Sequence, residues 1–170
     1  QVGSSATGPS PDTGGAEPDT EISGSALVVS IAAPAEANLD SDFTAKINVT
    51  EVTDLDAAQF DISYDKDVLH MSDVTDGLID GVSIPVDWAY VPGGGQETDI
   101  GKIRVICSFG LNEGPASGTG YLAEIHFHVV GPSGSSSKIR FPDDATLLLG
   151  DKDANPIPVD EWKDSLVHVR

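Results

Sequence analysis

Basic residues are scarce in this chain: 9 Lys and Arg stand against 28 Asp and Glu, for a formal net charge of −19. Such an imbalance argues against nucleic acid and anionic membrane surfaces as partners, because their fields repel an acidic protein. It favours cationic partners or divalent cations. Cysteine is reduced to one residue, Cys107, so neither an intrachain disulfide framework nor a cysteine zinc cluster can form. Among Val105, Ile106, Ser108 and Phe109, that thiol reads as buried and inert. Aromatic residues make up only 6% of the chain, which leaves an aliphatic core and few rings for stacking on sugars. No apolar run approaches the 18 or so residues of a membrane span, and no signal peptide is visible. Helical periodicity is missing too; a single turn at Asp160 to Lys163 is the one helical expectation.

What the chain does contain is strand after strand. Its 170 residues suit one domain plus a tail. Residues 1–24 are rich in Gly, Ser, Pro, Thr, Asp and Glu with almost nothing to bury, and read as a disordered linker or stalk. Residues 25–170 form the expected folded domain. Ala26 to Ala33 makes a first strand, ended by Pro34, and Phe43 to Thr50 alternates apolar and polar residues as a second. Ala57 to Tyr64 is the third: Phe60, Ile62 and Tyr64 fall on one face, Asp61, Ser63 and Asp65 on the other. An Asp-rich turn leads to Val68 to Val74. Ser83 to Val91 follows, then a glycine loop at Pro92 to Gly95, then Lys102 to Phe109. In Tyr121 to Val130, the residues Tyr121, Ala123, Ile125, Phe127 and Val129 form an apolar face opposite Glu124, His126 and His128. Ser137 to Phe141, Thr146 to Leu149 and Ser165 to Val169 complete a pattern of short strands typical of a sandwich or jelly roll.

Catalytic signatures are weak. Glycosidase chemistry needs two carboxylates across a cleft, a condition that 28 acidic residues always meet somewhere. No serine sits in a nucleophile-elbow sequence. Glu124, His126 and His128 share one strand face, but three ligands on one flat strand lack a fourth converging from elsewhere. Asp151-x-Asp153-x-Asn155 opens like a calcium loop, yet Pro156 stands where the tight-turn glycine belongs; it reads as an acidic turn. A looser calcium site from Asp143, Asp144, Asp151 and Asp153 is an alternative. The sequon Asn48-Val49-Thr50 lies inside an expected strand. Sugar binding would rest on Trp88, Tyr90 and Trp162, but Trp88 and Tyr90 share their face with Val82, Ile84 and Val86, the core side. Binding, not catalysis, is the expected class.

Three stretches resemble the cohesin domain family. Gln59-Phe60-Asp61-Ile62-Ser63-Tyr64-Asp65, followed by Val68-Leu69, Val74 and Gly77, is similar to that family's strand-turn-strand with a Tyr-Asp pair. Gly101-Lys102-Ile103-Arg104-Val105 leads to a loop and then to Gly120-Tyr121-Leu122-Ala123-Glu124-Ile125-His126-Phe127, which matches a Gly-x-Leu-Ala-x-Ile-x-Phe pattern. A late apolar strand, a turn at Gly150-Asp151 and a terminal alternating strand extend the likeness to about residues 25–170.

The resemblance implies an all-β fold, a nine-stranded flattened β-sandwich with jelly-roll topology, and a non-catalytic module that binds a dockerin-like protein. The family's recognition face uses outward residues of the third, fifth and sixth strands and the adjoining loop. By position these are Gln59, Asp61 and Ser63, then Asp87 and Ala89, then Arg104, Ile106 and Ser108 with Leu111, Asn112 and Glu113. Ile106 and Leu111 would supply an apolar centre, and Asp61, Asp87, Arg104 and Glu113 a polar rim. Charge reversal at Arg104 or Asp61 is then expected to weaken binding without unfolding the domain. The resemblance also implies an extracellular or surface-attached multidomain parent, with no cofactor on this chain and calcium on the dockerin instead. A carbohydrate-binding module and a structural spacer are the alternatives.

Overall fold

Period-two alternation of burial runs through most strands of this protein, and the computed structural model describes them over residues 26–91, 100–109, 115–142 and 147–170. In β1 (Val28–Ala32), Val29 and Ile31 are buried while their neighbours are not. β2 (Glu36–Ala37) is a short step before β3 (Asp42–Ser63), a strand of 22 residues. β4 (Leu69–Ile79), β5 (Val82–Ile84) and β6 (Val86–Tyr90) follow, then β7 (Lys102–Ser108) and β8 (Ala116–Val129). β9 (Ser136–Ile139), β10 (Leu148–Asp151), β11 (Glu161–Lys163) and β12 (Ser165–Val169) close the described chain.

β3 belongs to both layers of the sandwich. Its first part pairs with β1 and with β8, from Asp42 opposite His128 to Leu55 opposite Ala116. Its second part pairs with β7 and β10, from Ala57 opposite Ser108 to Ser63 opposite Lys102. Register shifts between Val49 and Leu55, and a left-handed backbone at Asp54 (φ 55°), accompany the change of partner. The two expected strands, Phe43 to Thr50 and Ala57 to Tyr64, are therefore one continuous strand. One layer runs β11-β1-β3-β8-β4-β5, and β10-β3-β7-β6 forms the other. A smaller sheet, β9-β12-β2, is tied to the end of β3 by the Ser63–Arg140 bridge.

Pro85 makes the second switch. The expected single strand Ser83 to Val91 is divided there: β5 pairs with β4, and β6 pairs with β7 in the opposite layer. Proline has no N–H to offer a ladder, so it stands naturally at such a break, and its carbonyl accepts the Ser108 N–H at 3.2 Å. The expected helical turn at Asp160 to Lys163 is instead β11, parallel to β1.

Between the layers lies an aliphatic core with Phe60, Ile62, Leu69, Ile103, Leu122 and Phe127 fully buried. Burying each such side chain contributes roughly 1.5–3 kcal/mol. Phe127 joins the layers, its ring 5.1 Å from Tyr64 in an edge contact and 5.4 Å from Phe43. Cys107 is buried with Sγ 3.5 Å from the Leu122 carbonyl. Tyr121 departs from expectation: a register shift opposite Lys46 and Asn48 puts Leu122 and Ala123 both inward. Tyr121 is left half-buried under the Lys46 ammonium, 4.6 Å from the ring centre.

Candidate functional site

Cross-strand register turns the expected binding residues into rows on the outer face of β10-β3-β7-β6. One row reads Leu148, Gln59, Ile106, Asp87, with β10 contributing the first and β6 the last. The next reads Asp61, Arg104, Ala89, and beside the first row Gly150, Ala57 and Ser108 stand together. Seven of the named residues share this face with Ser63, which lies opposite Lys102 near its end. Leu111, Asn112 and Glu113 lie outside the described residues, as do the Pro92 to Gly95 loop and the Asp143 and Asp144 carboxylates.

The apolar part of the face is open. Ile106 is 44% exposed and Leu148 is 46% exposed, on either side of half-buried Gln59. Leu148 was not among the sequence-derived site residues. The run Leu147-Leu148-Leu149 is apolar throughout, so only the ladder tells which of them faces out: Leu149 is buried and Leu148 is not. Isolated exposed leucines are ordinary; here two large exposed apolar side chains stand in one cross-strand row. Asp87 stands at the edge, exposed, with its carboxylate accepting the Trp88 N–H at 2.9 Å.

Asp61 differs from its expected role as a rim residue. It is 1% exposed, although its strand position points outward. Arg104 covers it in a two-pronged pair, Nε donating to Oδ1 at 2.7 Å and Nη2 to Oδ2 at 3.0 Å. The side chain of Arg104 itself keeps 36% exposure. Hydrogen bonding to Asp61, opposed by burial and aided by its charge, raises the Arg104 pKa above its ordinary value. Asp61 thus anchors the guanidinium, and removing either charge would disturb the fold as well as the face.

Among the described residues the other candidate sites do not converge. The two ring nitrogens of His126 lie 3.2 Å from the Thr44 hydroxyl and 2.8 Å from the Thr75 hydroxyl. His128 Nδ1 lies 2.6 Å from Asp42. Among the described residues no group of three His, Cys, Asp or Glu has metal-binding geometry. The Asp151 carboxylate accepts the N–H groups of Asp153 and Asn155, each at 2.9 Å, which is the acidic turn read from the sequence. Trp88 and Tyr90 form an edge contact with each other at 5.3 Å, and Trp162 packs edge-on to Phe141 at 5.1 Å, so these rings form no flat line. The Asn48 sequon sits inside β3, with the Thr50 hydroxyl accepting the Val28 N–H and donating to the Ala26 carbonyl. No helix of the described residues is long and apolar enough to cross a membrane.

Solved structures share this architecture. A non-cellulosomal cohesin from the archaeon Archaeoglobus fulgidus matches with a TM-score of 0.66 at 18% identity, covering 86% of this chain and 92% of that one. A type I cohesin of Clostridium thermocellum, solved in complex with a dockerin, matches at 0.69 with 17% identity, covering 86% of this chain and all (100%) of that one. The sixth cohesin of scaffoldin B from Acetivibrio cellulolyticus, in complex with the Cel5 dockerin, matches at 0.67 with 18% identity over 86% and 100% of the two chains. No curated protein sequence matches this chain. The cohesin domain model matches residues 27–162, which include every strand of the candidate face. By that match this chain belongs to the cohesin domain family.

Proposed function

We propose that this protein is a non-catalytic receptor module that docks a dockerin-like partner on the outer face of β10-β3-β7-β6. The observation that carries the reading is the open row in which Ile106 and Leu148 flank Gln59. Relatives of the same fold have been solved with dockerins bound, which supports the same kind of partner here. The apolar row supplies the centre of the contact, and Ser63, Asp87, Ala89, Arg104 and Ser108 surround it. Calcium belongs on the partner, and the module works outside the cell as part of a larger protein, tethered through residues 1–24.

A strongly acidic receptor attracts a partner with a basic rim, and that charge sets mainly the association rate and its salt dependence. Titration calorimetry against a panel of dockerins, with and without a calcium chelator, tests the reading. One-to-one binding lost on chelation supports it. Silence across the panel with retention on insoluble polysaccharide would replace it with sugar binding, and silence in both with a structural spacer.

A further inference from the structure

A groove of about 640 Å³ lies on the outer face of β3, β8 and β4, in the layer opposite β10-β3-β7-β6. Small-ligand sites commonly measure roughly 300–1,000 Å³. A β-bulge shapes one wall. The register of β4 against β8 shifts between Met71 and Asp73, so Ser72 and Asp73 are both exposed where strict alternation would turn one of them inward. Asp73 thereby stands opposite His126, and His126 opposite Thr44 of β3, in one row across the groove. Beside that row Asp42 stands opposite His128.

The imidazole of His126 links two hydroxyls, Thr44 at 3.2 Å from Nδ1 and Thr75 at 2.8 Å from Nε2. A neutral imidazole has one N–H and one bare nitrogen. One hydroxyl therefore accepts and keeps its proton to donate, while the other donates and keeps lone pairs to accept. A change of tautomer exchanges the roles, so the pair always offers one donor and one acceptor. Carboxylates add acceptors on both sides: Asp42 is bonded to His128 Nδ1 at 2.6 Å, and Asp73 accepts the Val74 N–H through Oδ1 at 2.8 Å. This set of groups selects a ligand class. An anion would meet both carboxylates and a net charge of −19. A transition metal needs about three converging side chains, which the described residues do not supply. An apolar ligand would strip water from these polar groups without replacing its hydrogen bonds. An organic cation would use the carboxylates and leave the threonine pair idle. Sugar hydroxyls donate and accept at once, so they satisfy both.

We propose that this groove binds a neutral sugar unit, with Asp42 and Asp73 accepting from its hydroxyls and with Thr44 and Thr75 exchanging hydrogen bonds with one of them. The rings of Trp88, Tyr90 and Trp162 take no part, so recognition rests on hydrogen bonds and a single unit binds weakly. The site is independent of the receptor reading. It occupies the other layer of the sandwich, so a sugar and a protein partner can be held at the same time.

The test titrates the full chain with cellohexaose, xylohexaose and mannohexaose, followed by backbone amide NMR, beside native gels cast with the matching soluble polysaccharides. At least one sugar should give saturable shifts at Thr44, Ser72, Asp73 and Thr75 that change little with added salt. Retardation in the gel would identify a polymer as the source, and binding of the free hexasaccharide alone a chain end. Thr44→Val with Thr75→Val keeps the side-chain shapes and removes both hydroxyls; it should weaken sugar binding about tenfold or more and leave dockerin binding as in the wild type. Asp73→Ala, at an exposed position, should weaken it independently should the double variant not fold. Absence of saturable shifts with all three sugars would overturn the proposal, as would binding that neither variant weakens. Shifts at the same amides with spermidine alone, abolished by salt, would overturn it in favour of a cation site. A chain that takes the sugar but no dockerin upholds this proposal while the receptor reading fails.

Discussion

Ile106 and Leu148 stand on either side of Gln59 in one cross-strand row, each with close to half its surface open to solvent. Neither packs in the core, so replacing them tests the face with little cost to the fold. Changing both to Asp should weaken partner binding about a hundredfold, the range of a lost apolar centre. The melting temperature should move little, since exposed positions usually change stability by less than about 0.5 kcal/mol. Calorimetry and a thermal melt decide it; unchanged affinity would move the site to another face.

Asp61 should be far more sensitive. Asp61→Asn leaves part of the Arg104 fork without its acceptor and should cost about 1–3 kcal/mol. Asp61→Lys places a second cation in a site that is 1% exposed and beside Arg104, for a loss of about 3–5 kcal/mol. Urea unfolding measures both. Equal stability of the wild type and Asp61→Lys would contradict the buried pair.

Cys107 has its thiol pushed up to about 12, chiefly by burial and secondarily by the charge of Asp76. The folded protein should therefore resist thiol reagents at pH 8 and react only after unfolding. The sign for stability follows from the same shift. Below the unfolded thiol value, near 9, both states hold the proton; as pH rises from there toward 12 the unfolded state loses it first, and this group lowers stability. Labelling kinetics in native and denaturing buffer check the first expectation, and Cys107→Ala, whose stability should lack this alkaline decline, checks the second.

Gly77 on β4 faces the main chain of β8 so closely that a Cβ there would overlap the Leu122 carbonyl. A backbone neighbour cannot swing aside as a side chain does. Gly77→Ala should destabilise the domain by about 1–3 kcal/mol through overpacking, read as a lower urea midpoint. Partner binding at temperatures where the variant is folded should be intact, because Gly77 is remote in register from β7 and β10.

Much of this fold is legible where alternation is strict. Phe60, Ile62 and Tyr64 are buried as a period of two requires. The sequence is silent where strands break the period or change partner. Glu51 to Asp56 falls between the two expected strands and is polar apart from Val52 and Leu55, yet the strand runs through it and bends into the other layer. Tyr121 reads as inward until the register shift opposite Lys46 and Asn48 puts Leu122 in its place. β11 is too short to show any period, and its parallel partner β1 is more than a hundred residues away in the chain.

The face was legible residue by residue and illegible as a surface. Gln59, Asp87, Arg104 and Ile106 could be assigned outward, but their rows depend on register, which no single strand encodes. Asp61 had the right direction and the wrong exposure, because its cover comes from Arg104 on the neighbouring strand. Leu148 was hidden by the leucines beside it.

Every prediction for the face follows from one proposal, that a dockerin-like protein docks on β10-β3-β7-β6. The most direct measurement is a calorimetric titration of the intact chain and of the Ile106→Asp, Leu148→Asp variant against a dockerin panel, each with and without chelator. One-to-one binding by the wild type, lost on chelation and lost again in the variant, is the expected result. Tight, calcium-dependent binding that is indifferent to both substitutions would contradict it.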